Sequence, residues 1–516
     1  MAASSNYVIE VRIDVLKTLK IAGLATGAIA AIGLGAYYFH QRTQRAKRVT
    51  FREEVKHILE PFQLTDEQLR RVMANLNTEM TNGLRSDDER EKNDLAMFPT
   101  YVHYGPSGQE IGEYLVVDLG GSNFRVSHVN IEGRNRIRLN NKIFLIPHSL
   151  LLGEGDKLFD YIAECLQRFI DDNKLALHKP AGYKFDLAFT FSFPCNQTSL
   201  RQARLVSWTK GFSCTGVVGN DVVLLLQQAI DRHKGLNIQV VALVNDTVGT
   251  LMACSSIYRD CKVGVILGTG YNACYFENID NVPKWKGVRD QATKQIVINT
   301  EWGALGKHGC LDFIRTSVDR ELDESSSTPN QQVFEKMISA LYLGEIVRLI
   351  IVDLVQRSIL LPGRMQKTPS LRSDYNIFLI LRGSFYAKHV ADIESDNTED
   401  LSVTSSILTS IGIHDPSYDD CYLIREVCRT VSLRAAKLAA AAIAVLVNRL
   451  NQSSVTVGID GTLFRHHEKF KKNLARTLSR LVPRTHRLVL SEDGSSKGSA
   501  LVAAVDRRMR ETGFSS

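Results

Sequence analysis

Five short apolar runs, each stopping at a turn of glycine, aspartate or proline, constrain this chain more than any other feature. Residues 113–118 run into Asp118-Leu119-Gly120-Gly121, and 187–193 stop at Pro194. Residues 240–244 stop at Asn245-Asp246, 263–267 at Gly268-Thr269-Gly270, and 455–459 at Asp460-Gly461-Thr462. Short apolar runs bounded by such residues read as buried strands. Between them, 158–170 and 222–232 carry apolar residues at helical spacing, and 432–450 is a long helical run rich in Ala and Leu. Strands alternating with helices predict an α/β fold. Thr65-Asp66-Glu67-Gln68 reads as a capping box that opens a helix with Leu69, Val72, Met73 and Leu76 on its apolar face. Pro180, Pro362 and the polar stretch 324–332 mark loops.

A chain of 516 residues supports roughly two to four domain-sized cores. With 44% apolar and 23% charged residues, it is not a disordered chain. The net charge of +7 owes part of its excess to one short run, Arg42, Arg45, Lys47 and Arg48, so no nucleic-acid partner is expected. Nine cysteines without CxxC spacing fit neither a zinc site nor a disulfide framework, and point to a reducing compartment. Residues 21–39 carry no charge and are about long enough to cross a bilayer, which predicts one N-terminal transmembrane helix. The basic run that follows it predicts a cytosol-facing body. A signal peptide would need a cleavage site and the basic run on the other side. Gly23 and Gly27 give one GxxxG spacing, a pattern that arises easily in a Gly/Ala-rich segment.

The turns carry the chemistry. Two glycines in Asp118-Leu119-Gly120-Gly121-Ser122-Asn123 let the backbone approach a phosphate and offer it N–H donors; a plain tight turn is the alternative. Gly268-Thr269-Gly270 repeats the theme, with a β-hairpin turn as its alternative. Neither is a Walker A loop or a dinucleotide fingerprint. Asn245-Asp246 places a carboxylate at a strand end, suited to accept a proton from a substrate hydroxyl, or else an Asx turn that caps a helix. Ser192, Thr209, Lys210, Asn272, Glu301 and Glu335 are further polar groups, each of which alone could be a cap, a turn or a salt bridge.

Taken in order, Phe189-Thr-Phe-Ser-Phe-Pro-Cys195, Trp208-Thr-Lys-Gly-Phe212, Val244-Asn-Asp-Thr-Val-Gly-Thr250, Gly268-Thr-Gly-Tyr-Asn-Ala-Cys-Tyr275, Glu301-Trp-Gly303 and Phe334-Glu-Lys-Met-Ile-Ser339 resemble the hexokinase family. Gly309-Cys-Leu-Asp312 and Val455-Thr-Val-Gly-Ile-Asp-Gly-Thr462 resemble its animal branch, as a single catalytic unit from about Phe51 to about Arg507. The resemblance implies an α/β fold, the two-lobed actin-like ATPase (ribonuclease H-like) fold. With the anchor added, the expected layout is residues 1–50 as membrane anchor and basic flank, 51–110 as the first part of the large lobe, and 111–245 as the small lobe. Residues 246–490 complete the large lobe, and 491–516 form a helix that returns to the small lobe.

The activity implied is ATP-dependent phosphorylation of glucose and related hexoses at the 6-hydroxyl, the first step of glycolysis. Asp246 resembles the general base and Lys210 the residue that holds sugar and phosphoryl charge. Ser192, Thr209, Lys210, Asn245, Asp246, Asn272, Glu301 and Glu335 resemble the sugar-binding ring. Asp118, Leu119, Gly120, Gly121, Ser122, Asn123 and Thr269 resemble the phosphate turns, and Gly461, Thr462, Leu463, Phe464, Arg465 and His466 the adenosine side. Mg2+ is expected to arrive with ATP, with no direct ligand beyond a water-mediated role for Asp118. The anchor pattern is shared by ER and mitochondrial anchors; with the resemblance, the expected site is a cytosol-facing membrane, foremost the outer mitochondrial membrane with partners on it, beside a soluble cytosolic pool.

Five departures from the family pattern carry expectations. Ser122 replaces threonine and keeps the hydroxyl. Tyr271 replaces a small residue and crowds the sugar or the phosphate, or else points away. Lys307-His308 replace an acidic–amide pair. Ala387 and Ala391 replace hydroxyl residues. Ser496 replaces a glycine and is expected to cost about 1 kcal/mol if that position needs φ > 0. The last two departures predict a weakened nucleotide side. The alternatives to a working kinase are a glucose-binding sensor or scaffold with impaired ATP binding, and an actin-like kinase acting on another sugar.

Overall fold

The apolar runs become strands of two separate sheets. The computed structural model describes residues 53–512 apart from 86–91, 122, 134–135, 178, 288, 290–293 and 362–381. The chain divides into two compact units, Met1–Glu60 and Pro61–Ser516. Of the first, the described residues 53–60 are helical. All that follows concerns the second. In chain order its strands are Phe98–Pro99 (β1), Ile111–Leu119 (β2), Asn123–Glu132 (β3), Ile137–Leu145 (β4), Phe185–Phe191 (β5), Cys195–Ser199 (β6), Gln202–Leu205 (β7), Ile238–Val244 (β8), Cys261–Leu267 (β9), Tyr271–Asn278 (β10), Gln295–Asn299 (β11), Ser454–Asp460 (β12) and Thr485–Leu490 (β13).

One sheet has the order β4-β3-β2-β5-β8 and the other β1-β11-β10-β9-β12-β13, with β6–β7 a separate pair. Strands β2, β3 and β4 form an antiparallel meander, and β5 and β8 join parallel to β2. In the second sheet β9, β10 and β11 are antiparallel, while β12 and β13 run parallel. Both glycine turns are therefore hairpin turns: Leu119 pairs Phe124 across one, and Leu267 pairs Tyr271 across the other.

Side-chain alternation divides the first sheet between two cores. Leu115, Val117, Leu187 and Phe189 pack with Leu158, Ile162, Leu166 and Leu226 from the helices Gly155–Asp172 and Val222–Arg232. Val116, Ala188, Ala242 and Val244 pack with Val248 and Leu251 of helix Asp246–Ile257 and Ala500–Ala504 of helix Gly494–Glu511. Strands covered on both faces need continuous apolar sequence, which explains the runs read above. The capping box is realised: Thr65 N–H donates to Gln68 Oε1 at 2.9 Å and Gln68 N–H to Thr65 Oγ at 3.2 Å, opening helix Asp66–Arg85.

The two helices of the second core cross with almost no separation. A Cβ built on Gly498 would lie 1.7 Å from the carbonyl oxygen of Gly249, so only glycine fits at the crossing. This contact holds the N-terminus of helix Asp246–Ile257 near that of helix Gly494–Glu511.

The membrane expectations are corrected. Among the described residues one helix has the length and hydropathy of a membrane span, Tyr418–Leu450, and 83% of its most apolar window is buried inside the protein. It is an internal helix, apolar all round because protein surrounds it. Residues 21–39, read as an N-terminal transmembrane helix, lie outside the described residues. The helix with span-like properties is thus internal, and no described helix supports the N-terminal span or the outer-mitochondrial-membrane placement built on it.

The strain expected at Ser496 is also corrected. Ser496 lies inside helix Gly494–Glu511, fully buried, with Oγ 3.3 Å from Ser127 Oγ. The left-handed residue of this turn is Asp493, at φ 52°. Ser496→Gly should therefore lower stability, by about 0.5–1 kcal/mol, because glycine weakens a helix interior. The urea midpoint measures this, and an unchanged or higher midpoint contradicts it.

Candidate functional site

Strand β8 ends at Asn245, whose side chain caps the next helix: Asn245 Oδ1 accepts Thr247 N–H at 3.0 Å and Thr247 Oγ–H at 2.6 Å. The Asx cap and the carboxylate are thus two parts of one device. The cap turns the chain so that Asp246, first residue of the helix, faces a pocket. Asp246 Oδ1 accepts the Thr247 N–H at 2.9 Å, which fixes the rotation of the carboxylate.

The pocket is lined by Ser192, Thr209, Lys210, Asn245, Asp246, Asn272, Glu301 and Glu335 together with Pro194, Ile266, Gly270, Tyr271 and Gln332. Lys210 Nζ donates to the Ser192 carbonyl at 2.9 Å and lies 5.5 Å from the centre of the Phe193 ring. Asn272 Nδ2 donates to Asn299 Oδ1 at 2.9 Å and to Glu301 Oε1 at 3.1 Å, and Asn299 Nδ2 donates to the same Glu301 oxygen at 2.7 Å. Glu335 Oε2 accepts the Tyr271 N–H at 2.7 Å. Ser192 Oγ is buried and has no hydrogen-bond partner among the described residues. Such a hydroxyl in a polar pocket suits a ligand rich in hydroxyl groups.

Three non-glycine residues of the pocket have left-handed backbone: Lys210 at φ 57°, Glu301 at 52° and Gln332 at 52°. Each costs about 1–3 kcal/mol, a strain that collects at binding sites. Burial pushes the Glu301 carboxyl up to about 7; the Asn299 hydrogen bond opposes this and the Asp246 charge adds to it. Burial also raises Glu335, against the Tyr271 N–H and the charge of Lys210.

Beside this pocket lies a second group of carboxylates. Asp118 Oδ2 accepts Ser495 Oγ–H at 2.6 Å, and its pKa is pushed up to about 6, chiefly by burial, with the Ser495 bond opposing and the Asp246 charge adding. Asp460, also raised by burial, contributes further negative charge to Asp118. Asp460 Oδ1 accepts Gly461 N–H at 2.7 Å. Gly461 sits at φ 123°, where a Cβ would lie 2.2 Å from the Leu267 carbonyl oxygen. Carboxylates gathered at this density fit a cation brought by a nucleotide. Among the described residues, no three His, Cys, Asp or Glu side chains stand close enough to hold a metal by themselves.

The other predicted nucleotide-side residues are spread. Thr269 is exposed at its hairpin tip, as is Asn123 where β3 starts. Leu119, Leu463 and Phe464 are buried, while Thr462, Arg465 and His466 are exposed. Gly120 and Gly121 form the β2–β3 turn, and Ser122 lies outside the described residues. Ala387 begins helix Ala387–Glu394, and Ala391 is buried in it. His308 accounts for the Lys307-His308 exchange: its Nδ1 lies 2.6 Å from Asp94 Oδ1, and Asp94 also takes the N–H groups of Gly306 and His308.

Asn299, Gln332, Ser495 and Asp460 were not among the predicted site residues. Asn299 and Ser495 are chosen by long-range pairing, which no local pattern reveals. Asp460 had a signal, a strand end before Gly461, of the same kind that marked Asp118.

Family models described as hexokinase match residues 54–256 and 262–505. Hexokinase-1 of Mus musculus is 41% identical over 468 residues, covering 89% of this chain and 46% of that protein. Hexokinase-2 of Homo sapiens is 40% identical over 468 residues, covering 89% of this chain and 49% of that protein. The chain thus spans about half the length of the curated relatives it matches. A solved hexokinase from Schistosoma mansoni, complexed with glucose, superposes with a TM-score of 0.81 at 41% identity, covering 89% of this chain and 99% of that one. A second solved hexokinase gives a TM-score of 0.70 at 31% identity, covering 88% and 99%. The chain belongs to the hexokinase family and carries one animal-type hexokinase unit with the family's actin-like fold.

Proposed function

We propose that this chain transfers the γ-phosphoryl group of ATP to the 6-hydroxyl of glucose and related hexoses. The observation that carries the reading is the single pocket where Asp246 meets Ser192, Thr209, Lys210, Asn245, Asn272, Glu301 and Glu335. In this reading the amide, hydroxyl and carboxylate groups fix the hexose ring through its hydroxyls. Asp246 takes the proton of the 6-hydroxyl, and Lys210 offsets negative charge as it develops on the transferring group. Phosphoryl transfer asks mainly for such positioning and charge stabilisation. Asp118, Ser495, Asp460 and the turns at Gly120–Gly121 and Thr269 would hold the phosphate end of the nucleotide. Mg2+ bound to the nucleotide supplies charge neutralisation there. The lobes we propose are 111–245 and 246–490, each containing most of one sheet, with 51–110 and 491–516 completing them.

Phosphorus NMR of the product formed from glucose and Mg-ATP tests the reading. A 6-phosphate ester supports it, and an ester at another oxygen, or none, refutes it. Turnover on mannose, fructose and glucosamine defines the hexose range. A second reading, a glucose sensor with impaired nucleotide binding, is favoured only by the hydroxyls missing at Ala387 and Ala391. Calorimetry separates the two, since a sensor binds glucose but no Mg-ATP.

The raised carboxyl of Glu301 gives a pH prediction. A hexose hydroxyl donates best to the ionised form, so binding pulls the Glu301 pKa down and releases a proton. Only the ionised fraction binds well, and with a free pKa of about 7 that fraction grows as pH rises. Glucose affinity should therefore improve by roughly tenfold between about pH 6 and about pH 8, then level off. Calorimetry in buffers of different ionisation enthalpy measures both effects, and a flat profile without proton release contradicts the assignment.

A further inference from the structure

Tyr271 borders the pocket, yet its side chain is only 1% exposed and its ring lies in the core. The ring centre stands 4.9 Å from that of Trp302 and 5.8 Å from that of Phe334, both tilted against it. The phenol donates to the Ala439 carbonyl at 3.2 Å, on the long helix Tyr418–Leu450. The chain order around these rings is informative. Asn272 follows Tyr271, Glu301 precedes Trp302, and Glu335 follows Phe334. Each ring is thus the direct chain neighbour of one polar wall of the pocket.

The walls are linked above the rings as well. Asn272 Nδ2 donates to Glu301 Oε1, and the Tyr271 N–H donates to Glu335 Oε2. Glu301 is held in a left-handed backbone conformation just before Trp302, so some packing force must resist its relaxation. Tilted ring packing supplies one, and its directionality fixes where the neighbouring main chain can sit. Shifting the Tyr271 ring would move Asn272 and the N–H that orients Glu335 together.

From this we infer that Tyr271 is a positioning residue: its buried ring, packed against Trp302 and Phe334, sets the spacing of Asn272, Glu301 and Glu335 and so the affinity for the hexose. The inference rests on the hexose-kinase reading for the ligand's identity. It does not rest on catalysis, because Tyr271 touches neither reacting group. Its effect falls on the sugar side alone. Among the described residues no hydrogen bond, ion pair or ring contact joins Asp118, Ser495 or Asp460 to the three rings, so nucleotide use and the chemical step keep their values.

Tyr271→Ala and Tyr271→Phe test it, with glucose affinity read by calorimetry and the kinetic constants by a two-substrate assay. Tyr271→Ala should weaken glucose binding by roughly tenfold or more, and raise the glucose KM in step, while kcat and the ATP KM stay within about threefold. Tyr271→Phe keeps the ring and should remain within about threefold of the unaltered chain in every constant. A folded Tyr271→Ala protein with unchanged glucose affinity overturns the inference, as does an equal rise in the KM values of both substrates. If Tyr271→Ala does not fold, Tyr271→Leu fills the space without a ring and is read by the same criteria. Glucose binding that responds as expected in a chain without phosphoryl transfer refutes the kinase reading and supports the positioning role. A chain that binds no glucose overturns both.

Discussion

Asp246→Asn should lower turnover by roughly 10²–10⁴-fold while glucose affinity changes by no more than about threefold. The substitution keeps the size of the side chain and its place at the head of helix Asp246–Ile257. The Thr247 N–H, now 2.9 Å from a carboxylate oxygen, can be accepted by the amide oxygen instead. The cap on the helix comes from Asn245 and is untouched. What the variant loses is a group able to take a proton. A loss confined to kcat identifies Asp246 as the base; an equal loss in affinity would make it a binding group.

Gly498→Ala should cost about 3 kcal/mol of stability and most of the activity, although the residue does not line the pocket around Asp246. A methyl there meets the Gly249 carbonyl carbon at 2.4 Å and Gly249 Cα at 2.6 Å, besides the oxygen. These are backbone atoms of a buried helix, which no rotamer change can move. The helices must separate. One carries Asp246 at its head and the other carries Ser495, so separation disturbs the base and the partner of Asp118 together. A denaturation midpoint close to that of the unaltered chain would contradict the crossing.

The strands read from the sequence as apolar runs all formed, because burial on both faces leaves a continuous hydrophobic record. The other eight strands, β1, β3, β4, β6, β7, β10, β11 and β13, went unread. β4 is largely exposed, and β3 and β13 mix polar with apolar positions, so they lack such a run. The predicted sugar groups were legible through short motifs, since each motif keeps its chemistry on consecutive residues. Their couplings were not. Asn299 reaches Asn272 and Glu301 because β10 and β11 pair, and Gly498 meets Gly249 because two helices, 249 residues apart in sequence, cross at one point. Two readings failed, each for its own reason. Apolarity in helix Tyr418–Leu450 records burial in protein, and a GxxxG-like or uncharged stretch elsewhere does not by itself record a bilayer. Ser496 looked strained because residues 494–498 were taken for a turn; the chain turns at Asp493 and is helical from Gly494.

The nucleotide side decides how far this cleft works as a kinase, since Ala387 and Ala391 remain without hydroxyls while Tyr271 and Ser496 no longer count against it. Steady-state kinetics with glucose and Mg-ATP varied separately tests this most directly. The expected results are saturation in both substrates, hexose 6-phosphate formed in step with ADP, and turnover lowered by roughly 10²-fold or more for Asp246→Ala. Glucose binding without any ATP-dependent product, or undiminished turnover in Asp246→Ala, would contradict the kinase reading.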